Sequence, residues 1–178
     1  LSLIEMDAND PSTLESIQEM KNGAKRSKEL IEVFLGFSKL SMKNNKRASS
    51  FMACEQACKL IRFRLIESNV KMNMNYSGSE GSFEKKINHS ILAMVFYQMI
   101  SELITYMGHM ELVDASNPST LIGTLHEKKH SLELTFDIPF ELGDILKEQK
   151  LLFDLIDLMG LNIDIKKRQV FLTEWTLK

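Results

Sequence analysis

Four histidines and two cysteines are the side chains of this 178-residue chain best suited to nucleophilic or metal chemistry. Phosphoryl transfer through histidine needs an exposed imidazole that a partner can approach. His126 and His130 flank the polar connection Glu127-Lys128-Lys129 and are predicted to be exposed. Surface histidines most often have no catalytic role, so neither is assigned one. The six histidines and cysteines of the chain are His89, His109, His126, His130, Cys54 and Cys58.

The cysteines and a glycine-containing loop do not form recognisable sites. Cys54 and Cys58 share one helix face, but a soft metal needs two further ligands at suitable spacing. Buried cysteines acting as small hydrophobic residues are the better interpretation. The loop at 77–82 lacks the Gly-Lys-Ser/Thr ending of a phosphate loop. The sequence therefore predicts no metal and no cofactor, and it ties no serine, lysine or aspartate into a nucleophile–base pair.

A long amphipathic helix is predicted from Pro11 to Met42. Asp10 or Ser12 can cap its first N–H groups, and Ser12 with Glu15 fits a capping box. About thirty residues greatly exceed the mean helix length of about 11–12, which favours a bundle or coiled coil. Its apolar stripe recurs at three- and four-residue steps: Leu14, Ile17, Met20, Ala24, Ser27, Ile31, Phe34 and Ser38.

A second helix is predicted to precede the long one. Leu1–Met6 is typical of a helix end, and the turn 7–10 is short, so the two helices are expected to be antiparallel neighbours. A hairpin cannot bury both its faces alone, and a second copy would complete a four-helix bundle. We therefore expect a homodimer. The chain begins at Leu1 without an initiator methionine, so we also expect residues before it.

The chain after residue 50 alternates helices and strands. The polar, basic stretch 41–50 is the best boundary, which gives a helical hairpin at 1–44 and a second domain at 50–178. Strands gathered with helices on one face make the fold class α+β, an α/β sandwich. The predicted elements are helices Phe51–Ser68, Phe83–Met107 and Leu142–Met159, the last ending at Gly160, and strands Val70–Tyr76, Met110–Val113, Leu121–His126, Leu132–Phe136, Leu161–Ile165 and Val170–Leu177.

Bulk composition excludes several classes. A net charge of −2 with scattered Lys and Arg gives no electrostatic case for nucleic acid. We find no secretory signal and no apolar run of the roughly 18 residues that a membrane span needs, so we expect no membrane association. Two cysteines do not make a disulfide scaffold. We expect a cytoplasmic protein with reduced thiols.

The order of a helical hairpin followed by this sandwich resembles the dimerisation and ATP-binding halves of bacterial sensor histidine kinases. Ser27–Leu40 is similar to the end of the kinase hairpin, and Phe153–Gly160 with Asn162–Ile165 is similar to the last helix and strand of the ATPase-like domain. The resemblance implies a helical hairpin forming a dimeric four-helix bundle, followed by a histidine-kinase ATPase-like sandwich.

The nucleotide motifs of that family are degenerate here. Glu102, four residues after Gln98 on one side of the helix, stands where the kinases carry an Mg²⁺-binding asparagine. The aspartate of the Asp-x-Gly-x-Gly motif matches Asp137, but Ile138–Glu141 has replaced both glycines, whose free backbone suits close approach to a nucleotide. The lid equivalent, Glu148–Phe153, has no glycine. This predicts a sandwich that has lost ATP binding.

The chain is more similar to histidine phosphotransferases of the ChpT and sporulation-phosphotransferase type than to a working kinase. These proteins combine such a hairpin with a degenerate sandwich. The resemblance implies phosphate exchange with receiver-domain aspartates of a response regulator, and possible partnership with a hybrid histidine kinase. No histidine occurs in 1–42, so the phosphoacceptor is expected upstream of Leu1. Two alternative functions stay open: a non-catalytic pseudokinase scaffold, and a working kinase whose nucleotide motifs have drifted. For the receiver-docking residues, a role as ordinary bundle core also stays open. Receiver docking maps by position to Ile4, Leu14, Ile17, Gln18 and Lys21.

Overall fold

The computed structural model describes residues 13–21, 23–24, 49–78, 82–83, 87–113 and 117–174. The chain divides into two compact units, Leu1–Lys39 and Leu40–Lys178. In the first unit, residues 13–21 and 23–24 are helical, within the helix predicted for that stretch. The predicted first helix, its turn and most of the remaining long helix lie outside the described residues.

The second unit contains four helices and five strands among its described residues. The helices are numbered α1 to α4 and the strands β1 to β5 in chain order. They are α1 Ser50–Glu67, β1 Val70–Gly78, α2 His89–His109, β2 Ser119–Lys128, β3 Ser131–Asp137, α3 Gly143–Leu146, α4 Lys150–Leu158, β4 Leu161–Lys166 and β5 Gln169–Glu174.

The strands form one mixed sheet in the order β1-β2-β3-β5-β4, in which β1 and β2 are parallel and the other pairs are antiparallel. Buried or partly buried residues alternate with exposed ones along the strands, and α1 packs against β1 while α4 packs against β4. The predicted α+β class is confirmed. The buried strand residues include Val70, Leu121, Leu125, Leu132, Leu134, Phe136, Leu161, Val170 and Leu172.

The start of α2 differs from the prediction. The helix begins at His89 instead of Phe83, because the Asn88 side chain accepts hydrogen bonds from the amides of Ser90 at 2.9 Å and Ile91 at 3.3 Å. Phe83 lies before the helix and is buried. The apolar pattern continues through Phe83, so periodicity alone extended the helix too far.

Two other predictions were wrong. The stretch Met110–Val113, expected to be a strand, is instead a turn and loop after α2, where Glu111 has a φ of 53° and the Leu112 amide donates to the Met107 carbonyl at 3.0 Å. The single helix expected at Leu142–Met159 is divided into α3 and α4. Gln149, with φ −82° and ψ 79°, interrupts it.

Gly160 ends α4 as predicted. Its φ is 62°, in the left-handed region that favours glycine, and its amide donates to the Asp157 carbonyl at 2.8 Å. The closing hairpin is also present, but Lys167 and Arg168 form its turn, one residue earlier than expected. Gly160 therefore fixes the point where α4 turns into β4.

Helix α2 is long and apolar enough to cross a membrane, judged by length and composition alone. The helix contains Gln98 and Glu102, so it is not the continuous apolar run that the sequence was searched for. A core helix meets the same criterion, and α2 packs against α1, α3 and α4. Its buried residues are Leu92, Ala93, Val95, Phe96, Met99, Ile100, Ser101, Leu103, Ile104 and Met107.

Candidate functional site

The predicted degenerate nucleotide site centres on Glu102 of α2. The Gln98 side-chain amide donates to Glu102 Oε1 at 2.9 Å, as expected for residues one helical turn apart. The Gln149 side-chain amide donates to Glu102 Oε2 at 3.1 Å. Because Gln149 lies at the break between α3 and α4, this bond joins the break to α2. Both oxygens of the Glu102 carboxylate are therefore engaged by the chain itself.

The segment after Asp137 also packs against α2. The ring of Phe140 contacts that of Tyr106 with centroids 4.9 Å apart and planes inclined by 57°. Ile138 and Leu142 on either side are buried, which anchors the segment. Tyr106 lies one turn beyond Glu102 on the same side of α2, so the segment after Asp137 is held against the helix face that carries Glu102.

Asp137 lies on the sheet, whereas Gln98 and Glu102 lie on α2. It is the last residue of β3, lies opposite Ile122 in the sheet and is exposed. The structure thus joins Gln98 to Glu102 by a hydrogen bond, while Asp137 lies at a strand end. Its role as a residue of a former adenine site stays a prediction.

The residues predicted to dock a receiver lie in the first unit. Leu14 is 42% exposed, Ile17 only 2%, and Gln18 is exposed. Lys21 is partly buried, and Ile4 lies outside the described residues. The burial of Ile17 agrees with the core interpretation for that residue, and Leu14 and Gln18 remain accessible.

The most buried charged side chain of the described residues was missed by sequence reasoning. Glu127 is 3% exposed, although the sequence indicated a polar surface connection there. It accepts a hydrogen bond from Ser50 Oγ at 2.5 Å and another from the Phe83 amide at 2.8 Å. These bonds join β2 to the first residue of α1 and to the segment before α2. Glu127 lies two residues after Leu125, and alternate strand residues share a face, so this spacing could have indicated that Glu127 is buried.

A serine–histidine pair was missed as well. Parallel pairing of β1 and β2 places Ser77 opposite His126, with Ser77 Oγ 2.6 Å from His126 Nδ1. His126 is therefore partly buried and hydrogen-bonded, in contrast to the prediction of a plain exposed residue. His130 is exposed, with Nδ1 3.3 Å from Glu174 Oε2. The sequence separates Ser77 and His126 by 49 positions, so only the strand register brings them together.

The cysteines behave as the sequence indicated. Cys54 is fully buried and Cys58 partly buried on the same face of α1. The hydrogen bond with Cys58, together with burial, raises the pKa of the Cys54 thiol, which keeps it protonated at neutral pH. Within the described residues, no group of three or more His, Cys, Asp or Glu side chains is arranged to hold a metal ion.

No protein-family model and no curated protein matches the chain. Among solved structures, the cytoplasmic segment of histidine kinase QseC has a TM-score of 0.48 and 10% identity, covering 95% of this chain and 98% of that one. The Acinetobacter baumannii histidine kinase AdeS has a TM-score of 0.45 and 12% identity, with coverage of 93% and 84%. Histidine kinase ThkA, crystallised with response regulator TrrA, has a TM-score of 0.47 and 13% identity, with coverage of 96% and 53%. These neighbours are histidine kinases, and the similarity extends to the fold alone.

Proposed function

We propose that this protein is a histidine phosphotransferase of a two-component phosphorelay, which exchanges phosphate with receiver-domain aspartates and does not bind ATP. The observation that carries the proposal is the engagement of Glu102 by Gln98 at 2.9 Å and by Gln149 at 3.1 Å. The resemblance matches Glu102 to the helix position at which the resembling kinases bind Mg²⁺ and phosphate, and a carboxylate hydrogen-bonded within the chain supports the loss of that role.

ATP binding would have to overcome three features of this region. The negative charge of Glu102 would lie near a triphosphate. The Gln149 hydrogen bond and the Tyr106–Phe140 contact would have to open. The turn at Pro139–Glu141 has no glycine to allow close backbone approach. These features support a sandwich that supplies contact surface instead of nucleotide chemistry.

In the proposed mechanism, histidine is the nucleophile, and the receiver domain brings both the aspartyl phosphate and Mg²⁺. The dimeric helical bundle holds the imidazole in line with the phosphorus atom, which converts an encounter between two proteins into a positioned reaction. Of the residues predicted to dock the receiver, Ile4, Leu14, Gln18 and Lys21 form the proposed docking face, while Ile17, which is 2% exposed, supports that face from the core. No ATP is consumed, because the phosphoryl group passes between histidine and aspartate.

Transfer from a phosphorylated receiver domain to the full-length protein tests the proposal. The expected result is loss of label from the receiver, gain of acid-labile label on the protein, and its assignment to a histidine by mass spectrometry. Leu14→Glu should slow transfer, whereas Glu19→Ala, a control at an exposed residue outside the apolar stripe of the same helical segment, should not. Absence of transfer from every receiver encoded in the same genome would refute the proposal.

A separate titration tests the loss of ATP binding. A fluorescent ATP analogue with Mg²⁺ should show no saturable binding to the wild-type chain. The double variant Glu102→Asn, Gln149→Ala should also fail to bind, because the glycine-free turn remains. Tight, Mg²⁺-dependent binding by the wild type would instead support a working kinase.

A non-catalytic scaffold that binds a receiver or kinase is the alternative. The observation in its favour is that three histidines of the described chain have hydrogen-bonding partners: His89 with Gln56, His126 with Ser77, and His130 with Glu174. A scaffold would bind the receiver with unchanged affinity whether or not the receiver is phosphorylated, and no label would move.

A further inference from the structure

An open groove of about 980 Å³ lies beside the turn that joins β4 to β5. Thr135 pairs with Gln169, and Gln169 pairs with Lys166, so these three residues form one row across β3, β5 and β4. Their chain neighbours Phe136 and Val170 are buried, which places the row on the sheet face opposite the core. All three residues of the row line the groove. The groove is therefore built partly on the outer face of the sheet.

The turn beside the groove is tied to the core through its backbone. The Phe136 amide donates to the Arg168 carbonyl at 3.0 Å, and the Leu142 amide donates to the Lys167 carbonyl at 2.7 Å. Phe136 and Leu142 are both buried. The backbone from which the Lys167 and Arg168 side chains extend is therefore held in place before any ligand arrives, and a ligand does not have to order it.

The groove is positive, although the whole chain carries a net charge of −2. It is lined by three cations and one carboxylate, which are Lys166, Lys167, Arg168 and Glu141. Lys166 is already paired with Asp164. The side chains of Lys167 and Arg168 are exposed and form no ion pair with any residue that the structure describes. Two cations of the groove are therefore available to an anionic ligand.

The open form of the groove suits an extended ligand better than a small molecule. Small-molecule sites bury about 70–90% of the surface of their ligand. The residues that line this groove are exposed, except Thr135 and Phe140, which are partly exposed. Pro139 and Phe140 add an apolar surface to the same groove as the cations. A peptide segment that carries both carboxylates and an apolar side chain matches this combination.

A nucleic acid matches the groove less well. Glu141 lies within the groove, and Asp164 is paired with one of its cations, so two carboxylates accompany the positive charges. Nucleic-acid binding depends on neutralising many successive phosphates, and a continuous phosphate backbone would meet these carboxylates as well. The separate side chains of a peptide can engage the cations without approaching Glu141 or Asp164.

We propose that this groove docks an acidic segment of a partner protein. Carboxylates of the segment pair with Lys167 and Arg168, and an apolar side chain of the segment packs against Pro139 and Phe140. The proposal does not depend on phosphotransfer or on the N-terminal residues proposed to dock a receiver. Because the paired groups are exposed, the binding is weak and decreases as the salt concentration rises.

Fluorescence anisotropy with the full chain tests the docking. The probe is a fluorescein-labelled peptide of Asp and Glu residues around a central Phe. The wild type should bind it saturably, and Arg168→Glu and Lys167→Glu should each weaken binding about tenfold, since each replaces attraction by repulsion. Lys71→Glu is the matched control, because it changes an exposed cation of β1 at the opposite edge of the described sheet, and it should bind as the wild type does. Far-UV circular dichroism checks that each variant is folded.

Two further probes test the chemistry of the segment. The same peptide with Ala in place of Phe should bind several-fold more weakly, and equal binding of the two peptides would overturn the apolar contact with Pro139 and Phe140. A labelled single-stranded oligonucleotide should bind less tightly than the acidic peptide, and tighter binding would assign the groove to nucleic acid instead. Absence of saturable peptide binding, or equal binding by wild type and Arg168→Glu, would overturn the docking site.

Discussion

Glu127 and Glu102 each accept two hydrogen bonds, but they do so in different surroundings. Glu127 is 3% exposed, and its partners come from two other elements, the start of α1 and the segment before α2. Glu102 is partly buried, and one of its partners, Gln98, belongs to its own helix. Leaving a buried polar group without a hydrogen-bond partner costs more than leaving an accessible one, so loss of Glu127 should cost more stability than loss of Glu102.

Removing Glu127 should give the largest effect. Glu127→Ala leaves the buried Ser50 hydroxyl and Phe83 amide without their acceptor, at an expected cost of about 3 kcal/mol in the free energy of unfolding. Urea denaturation measures it.

Glu133→Ala is the matched control on the same sheet. Glu133 pairs with Lys128 at the surface, at 2.5 Å, so its removal should cost less than about 1 kcal/mol. Equal losses in Glu127→Ala and Glu133→Ala would show that burial does not separate these carboxylates.

The backbone beside Glu127 gives the next largest effect. Gly78 has a φ of 91°, and a Cβ there would lie 2.3 Å from the Glu127 carbonyl oxygen. Gly78→Ala should therefore destabilise the protein by about 2 kcal/mol. Gly108→Ala is the control, because a Cβ at Gly108 meets no atom within 4 Å and alanine favours a helix. Thermal melts showing both variants equally stable would contradict the assigned strain at Gly78.

The Glu102 region should tolerate substitution better. Glu102→Ala leaves Gln98 and Gln149 partly accessible to water, which can replace the lost acceptor, so the expected loss is below about 1 kcal/mol. The same urea denaturation measures it. A loss as large as that of Glu127→Ala would show that the Gln149 bond holds α2 and α4 together, and would reverse the comparison.

Sequence patterns predicted the sheet well and the two carboxylate sites incompletely. Alternation of apolar and polar residues found the two faces of β1 and of β4, and Gly160 marked the end of α4, because both signals are local. The environment of Glu127 depends on where β2 ends relative to Ser50 and Phe83, which no local pattern contains. The break at Gln149 also has no local signal, since the Gln149 side chain donates a hydrogen bond to Glu102 on another helix. The position of Glu102 could be predicted from its spacing to Gln98, but its second partner could not.

The hydrogen bond between His89 and Gln56 should give the smallest effect on the free energy of unfolding. His89 Nε2 lies 2.8 Å from Gln56 Oε1, which ties the start of α2 to α1. Burial lowers the pKa of His89 below its ordinary value of 6.5. The unfolded chain therefore binds this proton more tightly than the folded chain does. The contribution of His89 to the free energy of unfolding is complete above pH 6.5 and is lost as the pH falls through the folded-state pKa.

Urea denaturation at several pH values between about 7 and 5 measures this contribution, over the range in which histidine titrates. His89→Gln should reduce the acid-side fall in the free energy of unfolding, because glutamine does not titrate. The His130→Gln variant, at an exposed site, should keep the fall attributed to His89. If His89→Gln and wild type lose stability in parallel as the pH falls, the protonation of His89 is not coupled to folding, and the acid-side loss comes from other groups.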